Sequence, residues 1–103
     1  NLFPVHGLVA EKNDKIVGFV HYILHPVTGS LHPACYMQDL YVSTDHRRQG
    51  IGKSLINHLS NIGSDEKWAR MYWLAEENND NAQALYQNTG LKLNFTFHVM
   101  PLV

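Results

Sequence analysis

Ile51, Leu55, Leu59 and Ile62 recur at spacings of four, four and three residues, the apolar stripe of an amphipathic helix. The spacing predicts a helix over Gly50–Ile62 with Gly63 as its C′ residue. Two β-type runs bracket it, Ala34–Val42 and Trp68–Ala75. Strand, helix and strand in that order require a parallel pair joined by a right-handed crossover.

Upstream, Val5–Glu11 and Ile16–His25 flank the polar turn Lys12-Asn13-Asp14-Lys15, which reads as an antiparallel hairpin. Along the second strand Ile16, Val20, Tyr22 and Leu24 fall on one side, and Val17, Phe19 and Ile23 on the other. A strand apolar on both sides is expected to be covered on both faces. Pro26–Pro33 reads as a loop and Ser43–Gln49 as a polar turn. Downstream, Asn81–Asn88 reads as a short second helix, capped by Asn79 or Asp80 and ended by Gly90. Leu91–Val99 is strand-like again. The expected order is β-β-β-α-β-α-β, an α+β fold with a mixed, mostly antiparallel sheet flanked by helices.

A chain of 103 residues is expected to form a single domain over 1–103. Lys and Arg number 8 against 9 Asp and Glu, so the basic excess of a nucleic-acid binder is missing. One cysteine excludes an intrachain disulfide and a Cys-based zinc site. No apolar run approaches the roughly 18 residues of a membrane span. Asn1–Gly7 lacks the basic and apolar regions of a signal peptide, so the cytoplasm is the expected compartment. Of the seven histidines, His21 and His25 share a strand face, but about 13 Å apart. That is too far for one metal, and no metal is expected. Trp68 and Trp73 read as core or interface residues.

The chemistry gathers where the third strand runs into the helix. Arg47, Arg48 and Lys53 crowd the helix N-terminus, where a cation is disfavoured by roughly 0.3–1 kcal/mol. Gly50 and Gly52 allow a ligand to approach the backbone there, and the first amides of a helix have no intrahelical acceptor. An anion, phosphate above all, would offset the cations. Two phosphate motifs fail: Arg47 stands where a P-loop needs glycine, and Leu55 where a dinucleotide fingerprint does. The blander alternative is a helix start with solvated basic residues.

Arg47-Arg48-Gln49-Gly50-Ile51-Gly52 matches the Arg/Gln-x-x-Gly-x-Gly/Ala motif of the GNAT-superfamily N-acetyltransferases. Asp39-Leu40-Tyr41-Val42 resembles their fourth strand. Asn79-Asp80-Asn81-Ala82-Gln83-Ala84-Leu85-Tyr86, followed by Gly90-Leu91, resembles their Asn-x-x-Ala-x-x-Leu-Tyr-x-x-x-Gly-Phe segment. The three blocks lie in the family's order and at its spacing, and the resemblance covers essentially the whole chain from Val5 onward. The resemblance implies an acetyl-CoA-dependent N-acetyltransferase. The pyrophosphate would sit on Gln49, Gly50, Ile51, Gly52 and Lys53, with Arg47 and Arg48 nearby. Backbone groups of Leu40, Tyr41 and Val42 would pair with the pantetheine arm, and Asn79 would contact it. Tyr86 resembles the family's general acid, which protonates the departing thiolate; without the resemblance it reads as a core tyrosine with a satisfied hydroxyl.

An ammonium has no lone pair, so the acceptor must lose a proton before it attacks. Polyamine-type relatives carry Glu where this chain has Gln38, and an amide is no base. Asp39 is a candidate, though an aspartate bonded at a strand end is the commoner finding; a water-relayed route through backbone carbonyls is preferred. Glu76, Glu77 and Asp80 could attract a cationic acceptor or form a solvated loop. Family members begin with a strand and two helices ahead of the hairpin. A chain starting at Asn1 therefore either lacks that part or takes it from another chain. Without it, apolar surface near Val5, Val9, Val17 and Phe19 and the segment Leu93–Val103 predict a homo-oligomer. The expected reaction is direct transfer to a small-molecule or peptide amine in a ternary complex. The alternative is a non-catalytic module that binds CoA or a protein partner.

Overall fold

A computed structural model describes residues 5–75, 85–86 and 90–102. Strand β1 (Val5–Lys12) turns through Asn13 and Asp14 into β2 (Lys15–His25). Both turn residues have positive φ, 53° and 65°. That is the conformation of a two-residue hairpin turn whose twist matches the strands, and Asn and Asp adopt it at low cost. Strand β3 (Ala34–Val42) pairs antiparallel with β2. A 3-10 turn (Thr44–His46) leads to helix α1 (Ile51–Glu66), which crosses back to β4 (Arg70–Tyr72), parallel to β3. The four strands lie in the order β1-β2-β3-β4, a mixed and mostly antiparallel α+β sheet as expected. No helix of the described residues is long and apolar enough to cross a membrane.

Two bulges decide which side chains turn inward. Ala10 pairs with Gly18 and Glu11 with Ile16, so Val17 is an extra residue on β2. The extra residue reverses the alternation locally. Val17 is 3% exposed while Ile16 is 63% exposed, so Ile16 does not share an inward face with Val20. On β3 the extra residue is Gln38, between the pairs His21–Asp39 and Tyr22–Met37. Cys35 and Met37 point into the core before it, and Leu40 packs on the core after it.

The core lies between this face and α1: Val20, Cys35 and Met37 meet Leu55, Ile56 and Leu59. The other face of β2 is not covered as expected. Among the described residues no helix lies on it, and Val9 and Tyr41 are exposed there. Apolar alternation on two sides specifies a strand but does not supply the layer that would cover it.

Helix α1 runs past Gly63, which is not its C′ residue. Lys67 ends the helix in the left-handed region (φ 60°), its N–H donating to the carbonyls of Gly63 and Ser64. Gly63 is needed for space instead. A Cβ there would lie 2.6 Å from Trp68 Cε3, and the Trp68 ring is backed by Tyr22 at 5.7 Å. Gly63→Ala gains up to about 1 kcal/mol of helix propensity, but overpacking costs typically 1–3 kcal/mol. Net destabilisation is expected in urea melts; an unchanged or raised midpoint would show that the indole moves aside freely.

Two expected strands differ, and one expected helix is described only in part. The strand read as Trp68–Ala75 pairs only over Arg70–Tyr72, because its partner is kinked by the bulge at Gln38 just beyond. Of the helix read as Asn81–Asn88, Leu85 and Tyr86 are helical and the rest lie outside the described residues. Leu91–Val99 is not a strand. It pairs with neither sheet edge, and Leu91, Leu93, Phe95, Phe97 and Val99 are exposed. Alternation alone forms no strand without a ladder partner.

Candidate active site

The end of β3 and the start of α1 form one turn. Ser43 N–H donates to the Val17 carbonyl at 2.8 Å, tying the turn to the bulge on β2. Arg47 folds back so that Nε donates to the Val42 carbonyl at 3.2 Å. Arg48 and Gly50 both have positive φ, 65° and 79°, which lifts the chain into the helix. Gly50 caps α1 without a side-chain hydrogen bond, so no cap side chain satisfies the amides of the first turn. Arg47, Arg48, Gln49 and Lys53 are exposed around it, and Ile51 and Gly52 are half-buried.

A fourth cation arrives from far away in the chain. Lys12 Nζ, on the hairpin turn, donates to Gln49 Oε1 at 2.9 Å across 37 positions. The two side chains border a cleft of about 250 Å³ that also touches Ile51 and Ser54. No local signal marks Lys12, because nothing near it in sequence announces the turn it meets. Backbone amides at a positive helix end, with Arg47, Arg48, Lys53 and Lys12 nearby, suit a polyphosphate.

Beside this turn the sheet opens. β3 and β4 pair only at Ala34–Arg70, Cys35–Met71 and Tyr36–Tyr72. Beyond Tyr36 no described residue pairs with the outer edge of β3. Leu40, Tyr41 and Val42 therefore keep β2 on one side and an open edge on the other. Leu40 and Val42 are half-buried, and Tyr41 is exposed on the uncovered face. An open strand edge offers backbone donors and acceptors to a ligand that carries amides.

Leu85 and Tyr86 stand at the same opening. A Cβ on Gly52 would touch Leu85 Cδ2 at 3.4 Å, with Val42 and Leu40 within 4 Å of the same point. A small residue at Gly52 lets Leu85, Val42 and Leu40 meet around the first turn of α1. Tyr86 packs on Trp73, the residue after β4, at 5.5 Å between ring centroids. Its carbonyl accepts from Gly90 N–H at 3.0 Å, as a helix ended at Gly90 requires. Burial raises the Tyr86 pKa above the usual tyrosine value, so the phenol keeps its proton at neutral pH. The structure thus gathers Tyr86, the edge of Leu40–Val42 and the turn 47–53; Asn79 lies outside the described residues, as do Glu76, Glu77 and Asp80.

Residues 2–91 match the family model described as "Acetyltransferase (GNAT) family". The D-amino-acid N-acetyltransferase HPA3 of Saccharomyces cerevisiae is 33% identical over 80% of this chain and 50% of its own length. The thialysine N-epsilon-acetyltransferase of Caenorhabditis elegans is 28% identical over 80% of this chain and 51% of its own. An aminoglycoside acetyltransferase structure from an uncultured soil metagenomic sample superposes with a TM-score of 0.87 at 25% identity. It covers 94% of this chain and 65% of that one. The chain spans about half the length of the curated relatives it matches.

Proposed function

The chain belongs to the acetyltransferase (GNAT) family, and on that premise we propose that it transfers acetyl from acetyl-CoA to a primary amine by direct attack in a ternary complex. The observation that carries the proposal is the open edge of β3 running into the uncapped N-terminus of α1, with Tyr86 beside it. Acetyl-CoA would supply the activated thioester. The amides of Ile51, Gly52 and Lys53 would hold its pyrophosphate, with Gln49 and Gly50 shaping the turn and Arg47, Arg48 and Lys12 adding charge. Leu40, Tyr41 and Val42 would pair with the amide-bearing arm, and Asn79 would contact it. Tyr86 donates its proton to the sulfur as the thioester breaks.

Direct transfer is favoured over an acyl-enzyme because the chain's one thiol is unsuited to attack. Cys35 is fully buried in β3, and burial pushes its pKa up to about 11. The thiolate, not the thiol, is the nucleophile. For the acceptor we propose a small amine of amino-acid type, since the yeast relative is named for D-amino acids and the Caenorhabditis elegans relative for thialysine.

Melting with ligands tests the cofactor. CoA at ten times its Kd should stabilise the fold by about 1.4 kcal/mol, while ATP at equal concentration should not. Amine-dependent release of CoA from acetyl-CoA then tests transfer, with D-amino acids as the first acceptors. CoA binding without release would favour a non-catalytic module, which the exposed amide of Gln38 at the bulge fits.

A second copy of the chain is the assembly partner we propose. Leu91, Leu93, Phe95 and Phe97 are exposed along an unpaired segment, and such surface is usually buried in an interface. Light scattering at micromolar concentration should give at least twice the monomer mass; a monodisperse monomer refutes it.

A further inference from the structure

Three rows of residues cross the sheet face opposite α1. Val9, Phe19 and Tyr41 make one, Gly7, His21 and Asp39 the next, and Val5, Ile23 and Tyr36 the third. The middle row holds a contact that the chemistry above leaves unused. His21 Nδ1 lies 3.2 Å from Asp39 Oδ2. An ionised carboxylate only accepts, so Nδ1 is the donor, and in the neutral imidazole the lone pair is then on Nε2. Nε2 has no hydrogen-bond partner among the described residues, and the His21 side chain is 45% exposed. The ring is held in place. Phe19 lies tilted beside it at 4.8 Å between centroids, and Gly7 of β1 leaves its other flank room, with Cδ2 at 3.5 Å from where a Cβ would stand.

We propose that His21, oriented by Asp39, is the general base that takes a proton from the acceptor ammonium. The assignment rests on the acetyl-transfer reading. Asp39 directly follows the bulge at Gln38 and directly precedes Leu40 on the strand whose outer edge is open, and His21 stands beside it one strand further in, on β2. The role requires the acceptor ammonium to lie over this face, where Nε2 would take its proton directly or through one water. The nitrogen forms its bond to the thioester carbonyl carbon, and the carbon–sulfur bond breaks. Of the two protons the ammonium loses, one leaves to solvent through His21. The other replaces, at Tyr86, the proton given to the thiolate. His21 and Tyr86 thus serve opposite ends of one transfer.

The test compares wild type with His21→Gln, whose amide still donates to Asp39, using a D-amino acid as acceptor. At pH 7 the variant should lose about 10²-fold in kcat/KM, with CoA affinity unchanged. The gap should shrink as pH approaches the acceptor's own pKa, because a free amine needs no base. The titratable groups facing His21 are Asp39 and Tyr41 of β3; β1 presents only Gly7 there, and His25, about 13 Å along β2, is bonded to Tyr72 instead. A gap constant across pH would mark a structural role and overturn the assignment. Nitrogen NMR reads the pair without activity: wild type should show His21 with its proton on Nδ1, and Asp39→Asn should relax that preference. A proton on Nε2 in wild type overturns the proposal. An intact Nδ1–H tautomer with no amine-dependent CoA release at all would refute the acetyl-transfer reading, and the base role with it.

Discussion

Tyr86→Phe is expected to lower kcat by about 10²–10⁴-fold, the range for loss of one positioned acid. The substitution removes the phenolic oxygen and leaves the ring. Packing against Trp73 at 5.5 Å is therefore kept, as is the carbonyl that accepts from Gly90. CoA affinity should change little, which separates a lost proton donor from a damaged site. The pH dependence follows from the direction of the shift. Burial disfavours the phenolate, so the folded pKa lies above the ordinary value of about 10. The proton is present through the neutral range, and its loss should reduce kcat only on the alkaline side of that value. Single-turnover transfer in both proteins is the measurement. Equal rates would return Tyr86 to the core as a packing residue.

Leu59→Ala is expected to cost about 2–5 kcal/mol of folding stability, the range for truncating a buried leucine to alanine. Leu59 has 0% exposure and lies in the cluster that joins α1 to Val20, Cys35 and Met37. Total stability of a small domain is about 5–15 kcal/mol, so the loss takes a large share of it. The function is tied to the same contact. α1 presents its first amides to the turn 47–53 only while its apolar stripe is anchored on the sheet. Urea unfolding with an unchanged m-value should show the loss. A cost below 1 kcal/mol would mean that the neighbours collapse into the space, and that the helix is held elsewhere.

The helix α1 and the turn before it were legible in sequence because their signals are local. The apolar repeat at Leu55 and Leu59 marks the buried face, although Ile56 is buried as well, and the repeat Ile51-Leu55-Leu59-Ile62 leaves it out. Gly50, Gly52 and the cations Arg47, Arg48 and Lys53 stand within seven positions, so the turn and its charge are read from one short stretch. Gly63 carries a misleading local signal. Near a helix end a glycine usually signals a left-handed cap, and here it is the ring of Trp68 that forbids a side chain.

Sequence by itself determined the hairpin, the crossover unit and the glycine-bearing turn before α1, since each depends on residues a few positions apart. Only the tertiary structure decided what meets across strands. His21 faces Asp39 over 18 positions, and Lys12 faces Gln49 over 37. Neither pair follows from any period in the chain. The bulges at Val17 and Gln38 each insert one residue and reverse which side chains point inward. The same dependence on a partner explains Leu91–Val99, whose alternation is that of a strand and whose backbone pairs with neither edge of the sheet. A period of two records that a segment could join a sheet; register and neighbour are set by packing and backbone hydrogen bonds between segments, which no single segment encodes.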